Sequence, residues 1–529
     1  MSHEKQIQLL ILYHHLIFFM TNTAENNKRI AKNTLLLYFR MLLTMGISLY
    51  TSRIILDVLG VEDFGIYNVV ASMTNMFVFF QSSLANATQR YINVALAQKQ
   101  VENVKNIFSQ SFTIHILLGI IVIILGEIIG IWLIQEKLII PPGRIQAACN
   151  VFHFTLLSVF FTILQIPFIS GIIAQERMGI YAYIGIIEVC AKLIIVFALT
   201  FAEHADSLIL YSALLTFISF LILVIFMYYC HKNFKEYKIS FYWNTSLIKD
   251  MSQFIGYNLI GCIGWSIGYQ GIEIILNLFF GTIANAARGV AGQVRNAVDR
   301  LTQNIIIAAN PQITQLQTSG NYDDMFLLVK RISKFTFFFM LIISMPVIIE
   351  TNFLLSLWLT EIPQYAVLFT QLVLLDSLMS ILYSSWHTVI FATGKIKYIC
   401  TMQMVLMLSS LLLSYFMLKI GFPISTPLII SIFIQIIYLI CHLYDAHKEI
   451  KYNIKEYIKE VYLPILLIST LLIVPLIIIF ELLPEGWLRF ICIGITDVTI
   501  GSTAIYLFGF TRTEQEYIKK AILKKIKRQ

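Results

Sequence analysis

Two arginines on one face of a predicted helix are the residues best suited to bind a phosphate group. Polar residues recur at intervals of three, seven and four residues: Asn285, Arg288, Arg295 and Asp299. A helix places them in a single polar stripe with small residues between them. The guanidinium group matches phosphate oxygens bidentately and keeps its charge at physiological pH. The stripe predicts an anion site. A structural ion pair between Arg295 and Asp299 is the alternative.

Two further arginines lie near the ends of an earlier apolar stretch. Arg40 shares a helix face with Thr44 and Thr51, which predicts a second anion-binding group, although its side chain could instead extend to the membrane surface. Arg53 has Asp57 one helical turn later. These two residues are candidates either for substrate contact or for a neutral structural pair, and the sequence does not decide between them.

A third polar face carries groups that could transfer a proton or hold a sodium ion. One side of a predicted helix carries Asp376, Ser380, Tyr383 and His387. Glu273 lies at the end of a polar face on an earlier predicted helix. Carboxylates and histidines at membrane depth are often part of ion pathways. Asp376, Glu273 and His387, with Asp57, are therefore candidates for coupling to H⁺ or Na⁺. Hydrogen bonding between helices is the alternative.

These residues require helices that cross a membrane. The chain of 529 residues is 58% hydrophobic and 13% charged, whereas soluble domains have roughly 45–50% apolar and about 25% charged residues. Apolar stretches of about 20 residues predict spanning helices. The predicted spans are 34–58, 66–88, 107–134, 146–173, 180–201, 207–230, 254–280, 283–309, 333–350, 364–392, 399–418, 426–444, 461–480 and 487–509.

The distribution of Lys and Arg predicts that both termini lie in the cytoplasm, because positive charge collects in cytoplasmic loops. With the N-terminus inside, most of the 38 Lys and Arg residues fall in inside segments. Those that fall outside are Arg53, Lys137, Arg144, Lys419 and Arg489. The net charge of +8 therefore indicates contact with anionic membrane lipid and not with nucleic acid.

The sequence offers no pattern typical of an enzyme or a metalloprotein. Its seven cysteines lie singly in or beside spans, without CxxC or Cys/His ligand spacing. No Ser/His/Asp set, pair of catalytic carboxylates or zinc spacing falls on a common predicted surface. We predict no disulfide, metal site, catalytic residue or cofactor. The pattern favours a protein that moves something across the bilayer without chemically changing it.

An internal repeat divides the helices into two halves. Three landmarks match at an offset of about 220 residues: RIILDVL from Arg53 with EIILNLF from Glu273, IIGIWL from Ile128 with LLSLWL from Leu354, and IIAQERMGIY from Ile172 with IFATGKIKY from Ile390. Parallel repeats related by an axis along the membrane normal are typical of transporters, with the substrate site between the halves. Chance similarity of hydrophobic helices is the alternative.

The repeat and the charge runs predict the domain boundaries. Residues 1–26 form an N-terminal extension, interpreted as a start upstream of the true one at Met20 or as an interfacial helix. The remaining segments are 27–231 (six-helix N-lobe), 232–252 (cytoplasmic linker), 253–446 (six-helix C-lobe), 447–511 (two further helices) and 512–529 (basic cytoplasmic tail). The predicted fold is all-α, with two lobes related by a pseudo-twofold axis and a C-terminal helix pair.

Four segments carry a family resemblance: LDVLGVEDFGIYNVV from Leu56, FGTIANAARGVAGQV from Phe280, SLWL from Ser356 and ATGKIKY from Ala392. Together they resemble the Wzx-type polysaccharide repeat-unit flippases of bacteria, in the multidrug/oligosaccharidyl-lipid/polysaccharide exporter superfamily. The resemblance implies an inner-membrane protein that moves an undecaprenyl-pyrophosphate-linked oligosaccharide to the periplasmic leaflet by alternating access. It also implies contact with membrane lipids, a monomer, and a polysaccharide polymerase and chain-length regulator as partners.

Two other functions compete with this interpretation. An ion-coupled multidrug or metabolite antiporter of the same superfamily would share the fold and differ mainly in the charge of its cavity. A membrane polysaccharide polymerase or ligase would also be helical, but it would need a catalytic chamber, and the loops assigned to the outside are short. The arginines Arg40, Arg288 and Arg295 favour an anionic, lipid-linked cargo.

Overall fold

The computed structural model describes residues 3–78, 84–85, 88–89, 91–92, 95, 101–175, 177–201, 206–234, 236–237, 245–509 and 515. Side chains are described from Phe39 onward, except at 245–260 and a few single positions. Every regular element within these residues is helical. The predicted tail at 512–529, apart from Gln515, and residues 235 and 238–244 of the predicted linker at 232–252 lie outside the described residues.

The helices follow the apolar stretches of the sequence. In chain order they are α1 (His3–Asn75), α2 (Val101–Glu136), α3 (Ile145–Ala174), α4 (Met178–Leu199), α5 (Ser207–Asn233), α6 (Thr245–Thr318), α7 (Tyr322–Ile349), α8 (Thr351–Trp358), α9 (Ala366–Thr393), α10 (Lys397–Lys419), α11 (Thr426–Ile450), α12 (Ile454–Tyr457), α13 (Leu463–Leu482) and α14 (Trp487–Ala504).

Each of the two longest helices is broken once at a glycine. Gly60 in α1 has φ 73° and Gly281 in α6 has φ 71°, a backbone region that glycine adopts without a steric penalty. The breaks divide α1 into α1a (3–59) and α1b (61–75), and α6 into α6a (245–280) and α6b (282–318). Their separation matches the interval between the sequence landmarks, so the repeat is also present in the backbone.

The membrane architecture agrees with the sequence, although the helices divide differently. Eleven stretches of the described residues are long and apolar enough to cross a membrane. Gly261–Gln303 forms one such stretch where the sequence predicts two spans, 254–280 and 283–309. The predicted spans at 34–58 and 66–88 fall in and beyond α1, partly outside the described residues. The all-helical, multi-pass fold is confirmed.

Some helices extend beyond their predicted spans. α7 begins at Tyr322, well before the predicted start at 333, because Asn321 caps it by accepting a hydrogen bond from the backbone N–H of Asp324. Its first turn carries Asp323 and Asp324, which the positive end of the helix dipole favours. Hydropathy detects only the apolar part of such a helix, so the polar turns were missed.

Two large hydrophobic cores and a small third one, formed by Ile390, Ile399, Cys400 and Tyr438, organise the described residues. The first joins α1b, α2, α3 and α5 and also includes part of α6, for example Leu276 and Ala287. The second joins the later part of α6 with α7 and α9 to the C-terminal helices α13 and α14. A buried ion pair connects α14 to the end of α7: Arg489 Nε and Nη2 donate to the Glu350 carboxylate at 2.5 and 2.9 Å.

The halves meet most closely where α1b crosses α6b. A Cβ atom built on Gly65 would lie 2.0 Å from the Thr282 carbonyl oxygen, and one built on Gly289 would lie 2.5 Å from the Asn68 amide nitrogen. Asn68 and Gly289 occupy equivalent positions relative to the two glycine breaks. A residue that packs on its own repeat counterpart lies beside the symmetry axis, so this crossing marks the pseudo-twofold axis.

Candidate functional site

Side chains of one half reach the backbone of the other near the axis. The Trp358 indole N–H donates to the Leu49 carbonyl at 2.9 Å, which ties the end of α8 to α1a. The Ile139 backbone N–H donates to Asn277 Oδ1 at 2.7 Å, which ties the connection after α2 to α6a. Both contacts lie toward the end of the bundle that the charge distribution assigns to the outside, called here the predicted outer end. The halves are joined there.

A polar cavity lies between the halves, further along α1a and α6b. It has a volume of about 160 Å³ and is lined by Met45, Ser48, Leu49, Gln293, Asn296, Ala297 and Arg300. Arg300 is exposed, and no carboxylate of the described residues pairs with it. The cavity thus combines one guanidinium group with two side-chain amides, a set that can hydrogen-bond phosphate or sugar oxygens.

The cavity uses a different face of α6b from the predicted stripe. Asn296 and Arg300 each follow a stripe residue, Arg295 and Asp299, by one position, and one residue turns a helix by about 100°. Gln293 precedes Asn296 by three residues and so shares its face. The stripe faces α6a and α9 within the second half, and the adjoining face lines the space between the halves. Periodicity identified a polar helix correctly but not which of its polar faces borders the cavity.

Arg288 is buried in a network with the predicted residues Glu273 and Asn285. Its Nε lies 3.3 Å from Glu273 Oε1, and the Asn285 amide donates to Glu273 Oε2 at 2.9 Å. Asn277 donates to Asn285 Oδ1 at 2.9 Å and so connects this network to the contact with Ile139. Arg288 Nη1 is buried without a hydrogen-bond partner among the described residues. The structure therefore brings Glu273, Asn285 and Arg288 together.

Arg295 forms a second buried network that spans three helices. Its Nη1 lies 2.8 Å from Asp376 Oδ2 on α9, and its Nε lies 3.2 Å from Asp299 Oδ2 on α6b. Ser431 on α11 donates to Asp376 Oδ1 at 2.7 Å. The structural ion pair of Arg295 with Asp299, which the sequence offered as an alternative to an anion site, is present, and Asp376 also pairs with Arg295. Asp376 is an ion-pair partner of an arginine in this arrangement.

An aromatic side chain lies between the two networks. The guanidinium carbons of Arg288 and Arg295 lie 5.2 and 5.3 Å from the ring centre of Tyr269, within the range of cation–π attraction. Trp265 stacks on Tyr269, and the two ring planes are 7° apart. Both arginines are therefore held by carboxylates and by one shared ring.

The predicted face of α9 continues into α11, which the sequence analysis missed. Tyr383 donates to Gln435 Oε1 at 2.8 Å, and Gln435 lies 3.4 Å from Asp376 Oδ1. The Tyr383 ring stacks on His442, whose Nε2 lies 3.4 Å from His387 Nδ1. Gln435 and His442 are seven residues apart on one face of α11, a spacing that could have identified them.

The predicted residues of the first half lie apart from these networks. Arg40 stacks over the Tyr181 ring at 4.4 Å, and its Nε would meet a Cβ built on Gly185 at 2.4 Å, so it packs α1a against α4. Arg53 and Asp57 are both exposed. The structure does not place these three residues beside the polar cavity, and their predicted roles stay predictions.

A charged cluster at the predicted outer end connects three segments of the first half. The Arg144 guanidinium donates to both carboxylate oxygens of Asp63, at 2.8 and 2.5 Å, and to both of Asp206, at 2.5 and 3.0 Å. Asp206 also caps α5 by accepting from Leu208 N. The hydrogen bond from Arg144 holds the pKa of Asp206 below its usual value. This outer clamp, Arg144 with Asp63 and Asp206, was not predicted.

A family model that matches the sequence of residues 30–317 shows which family the chain belongs to. Residues 30–317, more than half of the chain, match a family described as "Polysaccharide biosynthesis protein". The chain belongs to this polysaccharide biosynthesis family. A comparison with curated proteins by sequence gives no match.

Solved structures of transporters share the fold of this family member. The lipid II flippase MurJ in an inward closed conformation matches with a TM-score of 0.65 and 14% identity, over 90% of this chain and 98% of its own. An inward-facing multidrug MATE transporter of the MOP superfamily matches with a TM-score of 0.58 and 9% identity, over 77% and 94%. A MOP superfamily transporter from Pyrococcus furiosus matches with a TM-score of 0.55 and 11% identity, over 79% and 95%.

The family and the fold together answer two questions raised by the sequence. The chain has the fold of the lipid II flippase MurJ and of the MATE transporters, so the predicted transporter-like fold is confirmed. It belongs to the polysaccharide biosynthesis family, and it is a multi-pass membrane protein. Identities of 9–14% show the shared fold and do not identify the cargo.

Proposed function

We propose that this family member flips undecaprenyl-pyrophosphate-linked oligosaccharide repeat units from the cytoplasmic to the periplasmic leaflet of the inner membrane. Translocation proceeds by alternating access of the two halves and supplies cell-surface polysaccharide biosynthesis. The family description and the flippase-like fold support this cargo. The match to the lipid II flippase covers 90% of the chain and the match to the MATE transporter 77%, a difference about as long as the C-terminal helix pair.

The observation that carries the proposal is the polar cavity with Arg300. A pyrophosphate carries fixed negative charge, and an exposed guanidinium between the halves offers bidentate hydrogen bonds to it. Gln293 and Asn296 supply donors and acceptors for sugar hydroxyls. Arg288 and Arg295 are poorer candidates for the cargo than the sequence indicated, because carboxylates already hold them.

The buried networks then serve ion coupling better than cargo binding. Glu273, Asp299 and Asp376 surround two guanidinium groups, so the networks contain one more acidic group than basic groups. Such a surplus can be satisfied by a proton or by Na⁺. Uptake of a cation would loosen the hold of Arg295 on Asp376 and thereby change how α9 packs against α6b. Coupling to H⁺ or Na⁺ is part of the proposal.

The test is lipid flipping by the purified protein in liposomes. A fluorescent undecaprenyl-pyrophosphate-linked oligosaccharide is placed in both leaflets, and its accessibility to a membrane-impermeant quencher is followed. Arg300→Ala should lower the rate by roughly tenfold or more, since a charge-assisted hydrogen bond contributes about 1.5–3 kcal/mol and about 1.4 kcal/mol is a factor of ten. Arg300→Lys should keep part of the rate, because it retains the charge without the planar fork.

Arg177→Ala is the matched control. Arg177 is an exposed arginine in the connection before α4, outside the polar cavity, so its removal should leave the rate unchanged. Flipping by Arg300→Ala at the wild-type rate would contradict the cavity assignment.

A cation antiporter is the second candidate, and the acidic surplus of the buried networks favours it. An antiporter of this kind would export an organic cation against a proton or sodium gradient and would not move the anionic lipid. The same liposomes loaded with rhodamine 6G distinguish the two. Gradient-driven dye export without lipid flipping would replace the proposed function by the antiporter.

A further inference from the structure

A buried carboxyl group in the C-terminal helix pair takes no part in the networks described above. Asp497 on α14 is fully buried, and neither of its carboxylate oxygens has a hydrogen-bond partner among the described residues. It belongs to the buried stripe of α14, with Ile493, Gly501 and Ala504. An ionised carboxylate is very costly to bury without a partner, and such a group is neutralised instead. Asp497 therefore requires a proton or another cation.

Close contacts of two glycines show which parts of α7 and α13 lie beside Asp497. A Cβ atom built on Gly501 would lie 3.5 Å from Ile342 of α7 and 3.6 Å from Leu472 of α13. A Cβ built on Gly509, further along α14, would lie 2.9 and 3.3 Å from residues four positions earlier on these helices, Phe338 and Ile468. α14 thus runs antiparallel to both helices. Asp497, one turn before Gly501, lies level with the residues one turn after Ile342 and Leu472.

Both neighbouring helices contain a proline at this level. Pro346 lies inside α7 and Pro475 lies inside α13. Proline has no N–H, so the backbone carbonyl four residues earlier loses its donor in the helix. The carbonyls concerned are those of Ile342 and Leu471. One carboxylate and two carbonyls without their helical donors thus lie at one level of three packed helices, and a set made only of acceptors is completed by a group that donates.

No charged side chain of the part of the chain that the structure describes neutralises Asp497. The other charge on α14 is Arg489, which is paired with Glu350 at the predicted outer end. The charge on α13 is Glu481, which is exposed near the same end. On α7, Lys334 donates to the Gly509 carbonyl and lies twelve residues, or about 18 Å, before Pro346. The remaining charged residues of α7 lie further from this level, at Asp323, Asp324, Lys330 and Arg331. The other titratable side chains of this region are Cys492, which is half-buried, and Tyr506, which is exposed.

We propose that Asp497 is a proton-binding site that holds one proton while α14 packs against α7 and α13. The carboxylate takes up H⁺ to give a neutral carboxylic acid, whose O–H donates to one of the carbonyls left free by the prolines. A proton needs one such acceptor, whereas a metal ion needs a shell of several oxygens. The neutral form fits the apolar core and the charged form does not, so packing of α14 takes up one proton. This site is separate from the networks of Arg288 and Arg295 and does not depend on the cargo.

Infrared difference spectroscopy of the full chain in lipid nanodiscs detects a protonated carboxylic acid by its carbonyl band. A carboxyl group in water is ionised at neutral pH, so Asp497 gives this band there only if the site holds its proton. Asp497→Asn keeps the size and the neutral charge and should remove the band. Asp323→Asn is the matched control, because Asp323 is exposed in the first turn of α7. Labelling the wild type with ¹³C-aspartate should shift the band, and this measurement does not rely on the folding of a variant.

Hydrogen exchange measures the effect of this proton on the packing of α14. The packed state holds one proton more than the unpacked state, so each unit of rising pH should shift the equilibrium toward the unpacked state by up to about tenfold. After correction for the intrinsic pH dependence of exchange, peptides of α14 should exchange faster with rising pH in the wild type and in Asp323→Asn. In Asp497→Asn their exchange should stay constant.

Three results would overturn the proton site. The first is a wild type without a band from aspartic acid at neutral pH. The second is Asp497→Asn with the same band and the same pH dependence of exchange as the wild type. The third is loss of the band when Na⁺ is added to protein prepared without it, since Na⁺ would then be the ligand of Asp497. None of these measurements uses the cargo, so their failure and the failure of the proposed function are distinguishable.

Discussion

The crossing of α1b and α6b allows a sharp test of alternating access. A Cβ on Gly65 would lie 2.0 Å from the Thr282 carbonyl oxygen, whereas Cβ contacts below 3.0 Å essentially do not occur. Gly65→Ala therefore forces the two helices apart by roughly 1 Å in the observed conformation, and overpacking of this kind costs about 1–3 kcal/mol. A conformation in which the halves separate at this crossing avoids the cost. The equilibrium should shift toward it by about 5- to 150-fold.

Pulsed EPR can measure this shift. Spin labels at Lys137 and Glu361, which are exposed in the connections after α2 and α8, report the distance between the halves at the predicted outer end. The labels are attached to introduced cysteines after replacement of the seven native ones. We expect Gly65→Ala to enlarge the population with the longer distance.

Two further glycines make the experiment a graded series. Gly289→Ala meets the flexible Asn68 side chain, which can rotate away, so its shift should be smaller than that of Gly65→Ala. A Cβ at Gly292 has nothing within 4 Å, so Gly292→Ala should leave the distances unchanged. Identical distance distributions for all three variants and the wild type would refute the reasoning that this contact holds the halves together.

Three predictions concern the ion pairs. Since the pKa of Asp206 is depressed in the folded protein, its pairing with Arg144 stabilises the fold above the ordinary Asp pKa of about 3.9 and is lost as the pH falls through the depressed value. Asp206→Asn keeps the helix cap, so its free energy of unfolding at neutral pH should be lower than that of the wild type by up to about 1 kcal/mol. If the free energy of unfolding changed between neutral and acid pH by the same amount in the variant and the wild type, the result would count against the clamp. Arg295→Ala and Asp376→Ala should each lower the free energy of unfolding by about 3–5 kcal/mol because the partner charge stays buried. A double variant that loses as much stability as the two single variants added together would disprove that coupling. Arg489→Ala should cost about as much by the same mechanism, as thermal unfolding in detergent would show, and an unchanged unfolding temperature would exclude it.

The sequence alone determined the class of this protein and its symmetry. Apolar runs of bilayer length specify helices, because a chain in lipid must satisfy its own backbone hydrogen bonds. The repeat was visible in three short landmarks, and the backbone break at Gly60 recurs at Gly281 with the same interval. Local patterns also placed Glu273, Asn285, Arg288, Arg295 and Asp376 on polar helix faces, and the structure brings these residues together in two linked networks.

Only the tertiary structure decided which polar face borders the space between the halves. Helical periodicity shows which residues share a face, but the direction of that face depends on the rotation of α6b against the first half. Close contacts such as that of Gly65, on α1b, with Thr282 set this rotation. This rotation directs Arg295 toward Asp376 and leaves Arg300 in the polar cavity. Pairing across distant helices, like that of Arg144 with Asp63 and Asp206, follows from packing and has no local signal in the sequence.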